Sequence, residues 1–334
     1  MDNYSVRLSV VFRASEDAGT IGLDSAIVNA RNWRVPVDTS NGNGWGGQTV
    51  VDRLRRVLVY EPIAPDEQVS WEAFGYFRPN DHEQAMDEHA RFRQILTDFG
   101  ADVVTAQIGD AQLQDAIFPF DPVIITDQGA ILGRMGKELR RREVDLMRET
   151  LAEAGVPVAG EITAPGTFEG GDSFWLDERT LAIGRGYRTN AEGIDQMRAI
   201  LAPMGVEVIT VDLPHWHGPD ECLHLLSLIS LLDHDLAVVY LPLLTVEFVK
   251  ELKRRNIQFV EIPDHEFPTQ GCNVLALEPR RCVILEENVE TIERLKQAGC
   301  EVITYQGKEI SHNRSGGPTC LTRPLLRGNG TARS

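Results

Sequence analysis

Residues 173–211 read SFWLDERTLAIGRGYRTNAEGIDQMRAILAPMGVEVITV. Two short apolar runs flank the polar turn Asp177-Glu178-Arg179, which is the signature of a hairpin. A helical period follows over Ala191–Met204. Gly205 stands just past its last turn, where a left-handed stop is favoured. A β-branched run, VEVITV, closes the unit. The order is therefore strand, strand, helix, strand.

The same unit recurs along the chain. Helical periods are predicted over Asp81–Phe99, Lys137–Ala154, Thr245–Arg255 and Val289–Ala298, and Gly100, Gly155, Asn256 and Gly299 stand at their ends. The segments ADVVTA, VPVAGE, IQFVEI and CEVITY follow those stops. Ahead of the helices lie LRRVLVYEP, PVIITDQGAILGR, DLAVVYLP and VLALEPRRCVILEE, two of which carry a polar turn of their own. Five like units, none able to bury a face alone, imply an α/β ring: a five-bladed, pseudo-symmetric α/β propeller. An open doubly wound sheet would give no reason for the fivefold count. One further helix is predicted at Glu221–Leu232, carrying His224. Residues 1–49 match no unit and form an N-terminal extension whose stretch 38–47, DTSNGNGWGG, reads as flexible. Residues 50–326 form a single catalytic domain, and 327–334 read as a frayed tail.

Composition narrows the function. Hydrophobic residues make up 42% and charged residues 25% of the 334, as in ordinary globular proteins. The formal net charge of −17 makes nucleic acid and anionic membranes poor partners and weakly favours a small cationic one. No apolar run reaches the length of a membrane span, and the N-terminus shows no signal-peptide pattern, so a cytoplasmic protein is expected. Five cysteines without paired spacing argue against a disulfide framework and against a bound metal. No P-loop or GxGxxG follows a strand, so no nucleotide cofactor is expected, and no cofactor of any other kind is implied. A homo-oligomer stays open.

Four loops carry unusual chemistry: Asp115-Ala-Ile-Phe-Pro-Phe-Asp121, Phe168-Glu169-Gly170-Gly171-Asp172, Leu223-His224-Leu-Leu-Ser227 and Gly316-Gly317-Pro-Thr-Cys320-Leu-Thr322. Singly, each has a bland reading as a turn, a hairpin loop, a core histidine or a buried thiol. Together they supply a nucleophile in Cys320, an acid/base partner in His224 and two carboxylates, Asp121 and Glu169. Carboxylates beside a catalytic thiol would oppose a developing oxyanion, which disfavours a cysteine peptidase. They suit a planar cation, which paired charge-assisted hydrogen bonds can hold.

On the motifs FEGGD, Arg188-Thr189-Asn190, LHLLS and GGPTCLT, in that order, the chain resembles the guanidino-group modifying enzymes of the pentein superfamily, over roughly residues 50–326. Within it the chain looks most like the dimethylarginine dimethylaminohydrolases. Leu226 stands where deiminases carry a second carboxylate, Asp115 stands six residues ahead of Asp121, and Thr319 precedes Cys320. Phe120, and the Leu-Thr-Arg-Pro after Cys320, depart from that pattern. The resemblance implies a five-bladed propeller with catalytic Cys320, His224, Glu169 and Asp121. It implies that Arg140 and Arg188 bind a substrate α-carboxylate, that Asp115 binds its α-amino group, and that Asp172 anchors or orients the site. The implied reaction takes an N-methylated arginine to citrulline and an alkylamine through an S-alkylthiouronium on Cys320. Arginine deimination and amidino transfer are the alternatives, and a non-catalytic binding propeller would lack this residue set.

Overall fold

The computed structural model describes residues 44–219, 221 and 223–328. Along it run β1 (Leu54–Tyr60), α1 (Trp71–Phe74), α2 (His82–Asp98), β2 (Asp102–Ala106), β3 (Val123–Thr126), β4 (Gly129–Leu132), α3 (Glu143–Glu153), β5 (Val158–Glu161), β6 (Ser173–Asp177), β7 (Thr180–Arg185), α4 (Ala191–Leu201), β8 (Glu207–Asp212), β9 (Ile229–Asp233), β10 (Leu236–Val239), α5 (Val246–Arg254), β11 (Gln258–Glu261), β12 (Leu275–Glu278), β13 (Arg281–Leu285), α6 (Val289–Gln297), β14 (Glu301–Tyr305) and β15 (Arg323–Arg327).

These strands make five three-stranded sheets of one plan. An inner strand pairs antiparallel with a middle strand, as β6 does with β7. The middle strand then crosses through a helix to a parallel outer strand, as β7 does through α4 to β8. The helix buries its apolar stripe on its own sheet: Ile194, Met197 and Leu201 of α4 pack with Trp175, Leu181 and Ile183. Asn190 caps α4 by accepting from the Gly193 amide at 2.8 Å, and Asp81 caps α2 by accepting from Gln84 at 3.1 Å. The expected stops all adopt the left-handed conformation: Gly100, Gly155, Gly205, Asn256 and Gly299 have φ of 93°, 75°, 70°, 61° and 87°.

The first sheet is assembled from both ends of the described chain, in the order β15–β1–β2. Strand β15 pairs antiparallel with β1, Leu58 opposite Arg323 and Leu54 opposite Arg327. A strap at Gly46 reinforces the seam. Its amide donates to Leu325 O at 2.8 Å, its carbonyl accepts from the Arg327 amide at 3.1 Å, and the Gly47 amide donates to Asp127 Oδ1 at 2.7 Å. The inner strands β3, β6, β9, β12 and β15, with the residues beside them, line one axial cavity. The five sheets thus surround a common axis, and the fold is the five-bladed pentein propeller expected from the repeats.

Several boundaries differ from the sequence reading. The predicted helix at Glu221–Leu232 is a single 3₁₀ turn, Leu225–Ser227, followed by β9. Residues 228–232 are almost wholly buried, so no alternation marks them as a strand, and a buried apolar run reads equally as helix. The predicted helix Lys137–Ala154 splits into a 3₁₀ turn, Glu138–Arg140, and α3. Strand β15 was not foreseen, and it carries order through Arg327, one residue past the expected domain end. Residues 44–47 of the stretch expected to be flexible are hydrogen-bonded into the seam, whereas 1–43 and 329–334 lie outside the described residues.

Ring closure by β15 makes a truncation informative. A chain ended at Thr322 is expected to lose its cooperative thermal transition in calorimetry. A chain ended at Gly328 is expected to melt within about 2 °C of the full chain, since it keeps every ladder bond.

Candidate active site

The inner strands all begin at the same end of the axis, and the residues just ahead of each form the site. Asp121 precedes β3, Glu169 and Asp172 precede β6, His224 precedes the turn into β9, Asn273 precedes β12 and Cys320 precedes β15. The fold therefore gathers four of the five sheets' loops, and the seam strand brings the nucleophile to them.

Glu169 is fully buried and has four close nitrogen partners. Oε1 accepts from the backbone amides of Gly136 at 2.9 Å and Lys137 at 3.1 Å. Oε2 accepts from Arg188 Nη1 at 3.1 Å and lies 2.8 Å from His224 Nε2. Burial alone would raise this carboxyl's pKa, but the Arg188 charge and the His224 contact outweigh it and hold the group below the usual carboxylate range. Asp121 receives Arg140 Nη1 on Oδ2 at 2.6 Å and the Gly171 amide on Oδ1 at 3.0 Å, and that Oδ1 lies 3.9 Å from His224 Nδ1. The imidazole thus lies between the two carboxylates. Gly171 is required there: a Cβ at this position would come 2.4 Å from His224 Nδ1 and 2.7 Å from Asp121 Oδ1. Asp172 is fully buried behind the loop and accepts from the Leu225 amide at 3.2 Å, which fixes the start of the histidine's turn. Burial raises its carboxyl to about 6, opposed by His224 and the Thr189 hydroxyl.

Cys320 is partly exposed and its sulfur accepts from Asn273 Nδ2 at 3.0 Å. Asn273 Oδ1 in turn accepts from the Thr319 amide at 3.0 Å, so one amide side chain fixes both the loop and the sulfur. Burial pushes the thiol up to about 11 and the Asp121 charge adds to the rise, against the pull of His224 and the Asn273 donor. With no substrate bound, Cys320 is a thiol at neutral pH. A cation placed between it and the carboxylates would both neutralise Asp121 and stabilise the thiolate.

The remaining expected residues are close by. Asp115 accepts from Tyr76 Oη at 2.8 Å and from Lys137 Nζ at 3.2 Å. Arg188 is buried against Glu169. Arg140 is also buried, and most of its donors are engaged. Nε and Nη2 reach Glu143 at 2.8 to 3.1 Å, Nη1 reaches Asp121, and Nη2 also lies within reach of the Asp115 and Phe118 carbonyls. A substrate carboxylate at Arg140 would share a guanidinium already bonded to Asp121 and Glu143. Leu226 packs with Phe120 in an apolar cluster and lines the axial cavity, so no carboxylate stands on that side. Asp121, Glu169 and His224 present ligand atoms within 4.8 Å of one another. Such a set is able to hold a metal ion. No metal had been expected from the cysteine and histidine spacing.

A family model described as N,N dimethylarginine dimethylhydrolase, eukaryotic, matches residues 65–327. The chain belongs to the dimethylarginine dimethylaminohydrolase family. Family members are hydrolases of C–N bonds in linear amidines, and the chain is such an enzyme. The dimethylarginine dimethylaminohydrolase of Pseudomonas aeruginosa is 29% identical over 242 residues, covering 72% of this chain and 89% of that one. A solved structure of the Pseudomonas aeruginosa enzyme, a cysteine-to-serine mutant complexed with citrulline, superposes with a TM-score of 0.67 at 26% identity over 82% of this chain and 99% of that one. An amidinotransferase of saxitoxin biosynthesis from Microseira wollei shares the fold, with a TM-score of 0.71 at 18% identity over 87% of this chain and 99% of that one.

Sequence reasoning missed Asn273, Glu143, Lys137 and Tyr76. Asn273 had a usable signal, because it stands ahead of an inner strand in the same place as Asp121 and Cys320 in their units. The pH dependence of Cys320 tests the electrostatics. Its alkylation by iodoacetamide in the free enzyme is expected to rise about tenfold per pH unit from about pH 7 to 10, since the thiolate fraction rises so below the pKa. It flattens only above about 11. Asn273→Ala, which removes a donor to the sulfur, is expected to slow alkylation further, and a wild-type plateau near about pH 8 would contradict this account.

Proposed function

We propose that this protein hydrolyses N-methylated arginine to citrulline and an alkylamine, with Cys320 as nucleophile and His224 as acid and base. The observation that carries the reading is a partly exposed thiol within electrostatic reach of Asp121 and of an imidazole that lies between the buried carboxylates of Asp121 and Glu169. That set binds a delocalised cation and attacks its carbon.

In the proposed course, the substrate guanidinium enters between Cys320 and the Asp121–Glu169 pair. Its charge replaces the solvation the thiolate lacks, the Cys320 thiol gives its proton to His224, and the resulting thiolate adds to the central carbon. His224 protonates the departing nitrogen, the C–N bond breaks and the alkylamine leaves, so that a thiouronium remains on Cys320. His224 then takes a proton from water, the hydroxide adds to the same carbon, and the C–S bond breaks to release the ureido product and restore the thiol. Acid/base help of this kind is worth about 10²- to 10⁴-fold. Glu169 holds the imidazole and shares the cation, and Arg140 orients Asp121 rather than meeting the substrate. Arg188 is proposed to receive the α-carboxylate. Asp115 is proposed to receive the α-ammonium, a role supported by the Lys137 ammonium now lying 3.2 Å from it. The absence of a carboxylate at Leu226 leaves one guanidine nitrogen less tightly held, which favours an N-alkylated substrate over arginine. The citrulline in the relative's structure supports a ureido product.

No helix among the described residues is long and apolar enough to cross a membrane. The four described cysteines are free thiols, and the proposed setting is the reducing cytoplasm, which keeps Cys320 active.

The test is a product assay on arginine, monomethylarginine and asymmetric dimethylarginine. Citrulline with dimethylamine is expected from the last and should be abolished by Cys320→Ser. His224→Gln is expected to lower kcat by about 10²-fold or more. Faster release of ammonia from arginine would assign a deiminase, and citrulline from none of the three would reject hydrolysis of these substrates.

A further inference from the structure

The axial cavity behind the active site has a volume of about 50 Å³, room for about three water-sized groups. Most of its wall is apolar: Phe120, Ile124, Phe174, Leu231 and their neighbours on the inner strands. Two arginines of β15 break that lining. Arg323 is 5% and Arg327 3% exposed, and they stand four residues apart on one strand, hence on one face of it.

Neither arginine has a carboxylate in salt-bridge contact among the described residues. Arg323 lies over the Phe120 ring at 3.6 Å and donates through Nη2 to the Phe120 carbonyl. Arg327 donates to the Asp52 carbonyl at 2.7 Å and the Ala276 carbonyl at 2.8 Å. The nearest anionic groups act only at longer range. They are Asp121, already bonded to Arg140, and the Asp52 carboxylate, bonded to His234 at 3.1 Å. The Nε of each arginine is buried without a hydrogen-bond partner among the described residues, and so is the Thr319 hydroxyl, whose residue lines the same cavity.

A guanidinium does not give up its proton in a protein, so burial cannot be relieved by neutralisation. Three orphaned donors and two uncompensated cations in a small, mostly apolar chamber call for a negative group there. We infer that the axial cavity is a binding site for a small monovalent anion of the size of chloride, held by Arg323 and Arg327 with the Thr319 hydroxyl. The anion is separate from the substrate, whose charge is opposite. It offsets one of the two buried positive charges on the seam strand and so helps hold the ring closed. Consistent with the lack of counter-charge, burial pulls the two guanidiniums down to about 9 and about 10.

The probe is sodium chloride titrated against sodium gluconate at constant ionic strength, on the full chain. The ³⁵Cl line width is expected to show a saturable excess that bromide displaces. The Tm is expected to rise by about 3 °C when chloride reaches tenfold its Kd. Arg327→Met and Thr319→Val are expected to lose or weaken both effects. A line width that grows linearly with chloride and is unchanged in the variants would mean surface ions only and would overturn the inference. Should the arginine variant not fold, crystals of the wild-type chain soaked in bromide decide. An anomalous peak in the cavity beside the two Nε atoms supports the site, and peaks confined to the surface overturn it.

Discussion

The antiparallel ladder between β1 and β15 joins the two ends of the described chain, and the active site exists only because that ladder forms. Cys320 lies three residues ahead of β15, while Asp121, Glu169 and His224 lie ahead of inner strands of other sheets. Every inner strand starts at the same end of the axis, so pairing β15 with β1 places the sulfur at the mouth where the other loops already converge. The Gly46 strap adds bonds on the other side of β15 and makes the seam three strands deep at that point.

Charge then decides how the site works. Buried carboxylates are costly unless paired, and the protein pairs them unequally. Glu169 is held ionised by Arg188, two backbone amides and His224, while Asp121 accepts from Arg140 and the Gly171 amide. For the thiol, burial and the nearby Asp121 charge outweigh His224, the Asn273 donor and the Gly317 backbone, so it stays protonated until a cation arrives. Activation of the nucleophile is thereby tied to occupancy of the guanidinium pocket, which spares a resting thiolate from side reactions.

Much of this was legible in the sequence because each unit obeys a local rule. The Gly or Asn after each helix had to be left-handed, and each one is. The reading failed where local rules fall silent. Residues 228–232 are buried, so their pattern does not separate the strand β9 from a helix. Strand β15 has no partner near it in sequence, and nothing local announces a bond to residues 54–60. Among the site residues, Glu169, His224, Asp121 and Arg188 form one chain of contacts, Asp115 joins it through Arg140, Asp172 lies behind His224, and Cys320 is within electrostatic reach of Asp121 and His224. Arg140 joins them but is spent on Glu143, whose pairing three residues on was visible as spacing yet not weighed. Asn273 escaped because the misread β9 hid the rule that each inner strand is preceded by a polar residue of the site.

The central claim is covalent attack by Cys320 on a guanidinium carbon. Acid quenching of the enzyme during turnover of asymmetric dimethylarginine, followed by mass spectrometry of its peptides, tests it most directly. The account predicts a transient thiouronium on the Cys320 peptide that forms and decays at the rate of turnover. Turnover with no adduct on that peptide, or with an adduct on another residue, would contradict it.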